Sequence, residues 1–170
     1  FIKKIHAEFS QPEPCIVGYN SIAFDDEYTR HTLFRNFLDP YSWHWQHGNS
    51  RWDILNVARF CYAHKEEGSL TWVRNNQNRP IFKLDNLAPA NHIEHSNAHD
   101  AMADVRATIG IASIIKKTQP KFFEYALSLR NKKEVEKLVK LFYPMLLTSS
   151  GFGHKSSFTR LVTAICYHPD

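Results

Sequence analysis

Cysteine, methionine and glycine are scarce in this chain, with 3, 2 and 6 of them among 170 residues. Cys15, Cys61 and Cys166 are odd in number and widely spaced, which argues against a disulfide framework and against a thiolate zinc site. Reduced thiols in a cytoplasmic setting are the expectation. No apolar run approaches the ~20 residues of a membrane-spanning helix, and no signal-peptide pattern stands at the start, so no membrane partner is expected. There is no internal repeat and no low-complexity tract. What is present is a 43% hydrophobic content, enough for the core of one ordinary domain, and a net charge of +4, which favours a polyanionic partner without specifying one.

The pattern along the chain is α/β. Residues 1–9 read as the tail of an amphipathic helix, and with no initiator methionine the chain reads as a fragment cut in mid-domain. A strand is expected near 15–18, a helix over 25–37 broken before Pro40, and another over 53–63 with Ile54, Leu55, Ala58 and Cys61 or Tyr62 on its apolar face. Residues 68–80 are polar and Asn-rich, so an exposed loop is expected there. Helices follow at 84–90, 98–117, 120–129 and 132–141. Pro144 marks a boundary, and beyond it a glycine-containing loop leads to a β-branched strand at 161–167 that lacks sheet partners.

His99 and Asp104 are the most informative pair. Five residues apart, they bridge a loop and the first turns of a helix, so one element can supply a proton acceptor and a metal ligand. Asn97 suits the N-cap, Asp100 falls near N3, and Ala101, Val105, Ile109 and Ala112 form an apolar stripe. An aspartate beside such a stripe is seldom buried without a cation or charged partner; the plainer alternative is a solvated carboxylate. Asp25 closes the stretch Ile16-Val-Gly-Tyr-Asn-Ser-Ile-Ala-Phe-Asp25, in which a short apolar run ends in Gly18 and Asn20 and a helical pattern begins, so it falls near the end of a strand and the start of a helix, where open α/β sheets place their ligands. Its alternative is an ordinary capping residue. Tyr41-Ser-Trp-His-Trp45, flanked by Arg30, Arg35, Arg51 and Arg59, combines stacking surfaces with phosphate-pairing charge, the means by which single strands are held. Core packing is the competing role for such aromatics. The spacing of His92, His95 and His99 also admits a zinc cluster, although a helix start before His99 turns the three apart.

Taken together, Asn20-x-x-x-Phe-Asp25 and His99-x-x-x-x-Asp104 resemble the second and third motifs of the DEDDh 3′→5′ exonucleases, which have the ribonuclease H-like fold. The stretches Gly18-Tyr-Asn-Ser-Ile-Ala-Phe-Asp-Asp-Glu27, Arg35-Asn-Phe-Leu-Asp-Pro-Tyr41, Trp45-Gln-His-Gly-Asn-Ser-Arg-Trp-Asp53 and Asn91-His-Ile-Glu-His-Ser-Asn-Ala-His-Asp-Ala-Met-Ala-Asp104 narrow the resemblance to the bacterial exonuclease I family, from Phe1 onward, thinning but persisting over about the last 30 residues. The family's first motif, Asp-x-Glu on an opening strand, has no counterpart: Asp25-Asp-Glu27 fits the letters but belongs to the second motif.

The resemblance implies an amino-terminally truncated exonuclease domain over 1–143 and the start of an SH3-like domain over 144–170. It implies a 3′→5′ exodeoxyribonuclease acting on single-stranded DNA in repair and recombination, by two-metal hydrolysis with Mg²⁺ or Mn²⁺. Asp25 and Asp104 would be metal ligands and His99 the general base. Arg30, Arg59 and Lys83 would meet the DNA backbone, with Tyr41 and Trp45 stacking on bases; Lys83 stands where the family commonly has Arg, keeping charge but losing the bidentate fork. A single-strand-binding protein is the implied protein partner. The alternative is a non-catalytic fragment that binds single-stranded nucleic acid.

Overall fold

The computed structural model describes residues 1–64, 67–95 and 100–167. They fall into two compact units, Phe1–Ile54 and Leu55–Asp170.

In the first unit, helix α1 (Ile2–Phe9) places Ile2, Ile5 and Phe9 on one face by their i, i+3, i+7 spacing. That face packs with Leu33 of α2 (Asp25–Arg35) and with Trp43, both essentially buried, and Ile16 and Leu38 close the cluster. The rings of Phe9 and Trp43 stack at 5.2 Å. Asn49 fastens the arrangement, its Nδ2 donating to the carbonyls of Phe9 (2.8 Å) and Trp43 (3.0 Å). Helix α2 starts at Asp25 as expected but ends at Arg35, because Phe37 takes a left-handed φ of 57° that no helix continues through.

Strand β1 (Cys15–Gly18) pairs in parallel with β2 (Ser50–Asp53), in the register Cys15 to Ser50 through Gly18 to Asp53. The sequence pattern gave no sign of β2: Asp53, expected to open a helix, closes this strand instead. Helix α3 (Ile54–His64) begins one residue later. Gly18 ends β1 because a Cβ there would lie 2.5 Å from Ser21 Cβ, so only glycine allows the chain to fold back so sharply.

The second unit is built mainly from helices. Cys61 and Tyr62 of α3, Leu87 and Ala88 of α4 (Leu84–Ala90), Ala107, Ile111 and Ile115 of α5 (Ala101–Thr118), and Phe122 and Ala126 of α6 (Pro120–Ser128) are among its buried apolar side chains. Each such residue contributes roughly 1.5–3 kcal/mol of transfer free energy when large and fully enclosed. The i, i+4, i+8 spacing of Ala107, Ile111 and Ile115 defines the inward face of α5, and Thr108 is buried beside them. The expected stripe was therefore wrong: Val105 and Ile109 are 50% and 60% exposed. Helix α5 also comes close to the segment after α4 at Gly110, where a Cβ would lie 2.8 Å from Ile93 Cδ1.

The 68–80 segment is an irregular connection as expected, but it is not wholly exposed: Ser69, Leu70 and Pro80 are buried. Trp72 sets its ring edge-on to Tyr62 at 5.2 Å, and Phe82 meets Tyr62 at 5.6 Å. Helix α7 (Lys132–Leu138) is shorter than its apolar pattern suggested. Strand β4 (Thr159–Thr163) does have a partner, contrary to expectation. It pairs antiparallel with β3 (Pro144–Thr148), whose first residue is the proline read as a boundary; a strand's first position tolerates the missing N–H. Phe158, just before β4, is buried against Phe82 at 5.7 Å.

Candidate active site and nucleic-acid interface

Asp25 is the first residue of α2 and is exposed. Its place is set by Asp53, buried at the end of β2, whose carboxylate accepts the backbone N–H groups of Asn20 (2.8 Å) and Ile22 (3.3 Å). Asn20 is left-handed, with φ 62°, so the turn from β1 to α2 is held by the neighbouring strand. The next residue, Asp26, is buried and paired with Arg51 of β2. Of the two adjacent aspartates, one is thus committed to the fold and the other is presented at the surface.

The aromatic segment divides in the same way. Trp43 is core, whereas Tyr41 and Trp45 are 59% and 60% exposed. Asp39 shapes the turn: its carboxylate accepts the N–H groups of Tyr41 (2.8 Å) and Ser42 (3.2 Å), and these bonds hold its pKa below the ordinary carboxylate value. The guanidinium of Arg30 lies 5.6 Å from the centre of the Tyr41 ring and also pairs with Glu27. His44, half-buried, has its pKa lowered by burial and then by the positive charges of Arg51 and Arg30, and its Nε2 has no hydrogen-bond partner among the described residues.

In the second unit Asp100, not Asn97, caps α5, its side chain accepting the Ala103 N–H at 3.1 Å. Asn97 and His99 lie outside the described residues. With that cap Asp104 falls on the fourth helical residue, in line with Thr108, Ile111 and Ile115 rather than beside the stripe read from the sequence. Its side chain is 45% exposed and its Oδ1 lies 3.4 Å from Nε2 of the buried His95, which also contacts Asp85 Oδ1 at 3.1 Å. Arg59 lies 4.0 Å over the Phe158 ring and its Nη1 donates to Asn56 Oδ1 at 3.1 Å, while Lys83 is exposed immediately before α4.

The unit boundary separates Asp25, Arg30, Tyr41 and Trp45 from Arg59, Lys83 and Asp104. Reading the sequence missed Asp26, Asp53, Asp85 and the contacts of His95, and it set Arg51 among the phosphate-pairing charges, whereas Arg51 pairs with the buried Asp26. No spacing signal joins them, since each pairs with a residue on another element. Among the described residues no three His, Cys, Asp or Glu side chains come together as a metal cluster. The zinc reading gains nothing from His92, which is exposed, or from His95, whose Nε2 is turned to carboxylates. No helix among the described residues is long and apolar enough to cross a membrane.

Residues 2–112 match the RNase_T family, described as Exonuclease. The chain belongs to this exonuclease family. The family is metal-dependent, and carboxylates are the kind of hard oxygen donor a divalent ion takes. As an exonuclease chain it is similar to exodeoxyribonuclease I of Escherichia coli strain K12, at 47% identity over 100% of this chain and 36% of that protein. It is likewise similar to exodeoxyribonuclease I of Haemophilus influenzae, at 48% identity over 99% of the chain and 36% of the relative. It therefore spans about a third of the length of the curated relatives it matches. The crystal structure of Escherichia coli exonuclease I in complex with a dA16 oligonucleotide superposes with a TM-score of 0.94 at 47% identity, covering 100% of this exonuclease chain and 36% of that one. The ExoI/SSB-Ct complex matches with a TM-score of 0.92 at 45% identity, over 100% and 37% of the two chains. The fold is accordingly the α/β, ribonuclease H-like fold of the exonuclease domain.

Proposed function

We propose that the protein is a 3′→5′ exodeoxyribonuclease that removes nucleotides from single-stranded DNA in the cytoplasm and serves in DNA repair and recombination. The observation that carries this reading is the match of the whole chain to an exonuclease I structure crystallised with dA16. Asp25 and Asp104 are assigned as ligands of Mg²⁺, with Mn²⁺ as a substitute. When bound, the ion supplies an activated water and stabilises the leaving 3′ oxygen. His99 is assigned as the base that takes the proton of that water, a role suited to an imidazole of near-neutral pKa. Arg30, Arg59 and Lys83 are assigned to the phosphate backbone and Tyr41 and Trp45 to the bases, a reading supported by the exposure of both rings. Residues 1–143 are read as exonuclease domain and 144–170 as the opening of an SH3-like domain. A single-strand-binding protein is the proposed partner, by similarity to the ExoI/SSB-Ct complex. The non-catalytic alternative has no observation of its own.

The test is nucleotide release from the 3′ end of labelled single-stranded DNA in Mg²⁺. His99→Ala should cut turnover by about 10²–10⁴-fold, the usual share of general-base catalysis, with the metal-free melting temperature nearly unchanged. Asp25→Asn and Asp104→Asn should lower turnover by weakening the ion. Undiminished turnover in all three variants overturns the assignment.

A further inference from the structure

His95 is an enclosed polar side chain beside Asp104, with 1% of its side chain exposed. Two carboxylate oxygens face one of its nitrogens: Asp85 Oδ1 at 3.1 Å and Asp104 Oδ1 at 3.4 Å from Nε2. Both are acceptors, so the hydrogen resides on Nε2; it is donated to Asp85, and Asp104 Oδ1 lies in contact beside it. Its Nδ1 is buried and has no partner among the described residues. An imidazole serving stability alone would be expected to meet groups buried with it. Here both partners are half-exposed, at 48% and 45%, so the contact is made at the rim of the unit. The backbone of Asp104 is fixed independently, its N–H donating to the Asp100 carbonyl at 3.0 Å and its carbonyl accepting Thr108 Oγ1 at 2.8 Å. What remains adjustable in Asp104 is its side-chain torsion, and His95 is the neighbour placed to set it.

We propose that His95 is a positioning residue for Asp104: its Nε2 edge, set by Asp85, meets Oδ1, which orients the carboxylate and leaves Oδ2 as the donor to a divalent ion. Asp85 takes the hydrogen bond of that nitrogen and keeps the imidazole turned toward the pair. This rests on the reading of Asp104 as a metal ligand. Groups that orient a metal ligand without touching the metal are typically worth about 10–100-fold in metal affinity or activity.

The experiment titrates the protein with Mn²⁺ in the absence of DNA, followed by electron paramagnetic resonance, and measures single-strand affinity in chelator. Asp104→Asn is the reference. His95→Leu is expected to weaken the Mn²⁺ site that Asp104→Asn weakens, by about 10–100-fold, with single-strand affinity in chelator unchanged. His95→Gln, whose amide N–H reaches the position of Nε2, should recover most of the loss. Wild-type Mn²⁺ affinity in His95→Leu, with Asp104→Asn impaired, overturns the proposal while the ligand reading stands. Wild-type affinity in Asp104→Asn overturns the ligand reading and the proposal with it. A parallel loss of single-strand affinity in His95→Leu makes the residue merely structural and also overturns it. Should His95→Leu fail to fold, the pair His95→Gln and His95→Asn carries the test, because the second amide stops one carbon short; equal Mn²⁺ affinity in the two overturns the proposal.

Discussion

The carboxylate of Asp53 accepts the backbone N–H of Asn20 at 2.8 Å, and that bond ties the end of one strand to the turn leaving the other. Without it, two amide groups in a tight left-handed turn lose their acceptor. Asp53→Ala should destabilise the protein by about 1–3 kcal/mol, the usual cost of stranded polar groups. Asp53→Asn, which keeps one acceptor oxygen, should cost less. Urea midpoints of the two variants check this, and equal midpoints for Asp53→Ala and wild type refute it.

Trp43 and Trp45 should behave oppositely although they are two residues apart. Trp43 is 2% exposed and stacked on Phe9, so Trp43→Ala should cost about 3–5 kcal/mol in stability. Trp45→Ala should leave stability near wild type and weaken single-strand binding by about 5- to 150-fold, the equivalent of one stacked base. Denaturation curves alongside fluorescence anisotropy separate the two. A stability loss in Trp45→Ala with unchanged DNA affinity would move the DNA path elsewhere.

Asp100 is the N-cap of the helix that carries Asp104. Asp100→Ala should cost about 0.5–2 kcal/mol of stability, and Asp100→Ser should restore most of it, because a hydroxyl oxygen can also accept the Ala103 N–H. Thermal melts of the two variants decide. A null effect of the alanine would show that the cap is not held in solution.

His44 gives the protein a pH dependence of known sign. Folding lowers its pKa from 6.5, so as the pH falls below 6.5 the unfolded chain takes up a proton that the folded chain refuses. The stability His44 supports is therefore complete above 6.5 and is lost as the pH falls from there toward its folded value. His44→Gln should flatten the fall in urea midpoint between neutral pH and pH 5; an unchanged slope would refute the assignment.

The start of α2 at Asp25 and the whole of α4 were legible because punctuation and pattern agree there: Gly18 and Asn20 before one, a short apolar period in the other. The register of α5 was not legible. Ala103, Val105, Ile109, Ile111, Ile114 and Ile115 offer more than one apolar face, and period alone cannot choose between them. The choice is made by Gly110, the position that admits Ile93, and by a helix start displaced to Asp100. Strand β2 was hidden because four residues with one buried tryptophan make no alternation. At the site, Asp25 and Asp104 could be nominated from their motifs, whereas Asp53, Asp85 and His95 meet partners 9 to 33 residues away, which no local spacing encodes.

The missing side chain at Gly110 also sets a dimensional tolerance. Ile93 lies two residues before His95, and Gly110 six residues after Asp104, so the spacing of imidazole and carboxylate is gauged by van der Waals contact rather than by the weak polar contact between them. Alanine at an interior helix position ordinarily gains about 1 kcal/mol over glycine. At 110 that gain is opposed by a collision with Ile93, and the displacement would be delivered to His95 and Asp104. A substitution that improves the helix by propensity would therefore put the site out of gauge.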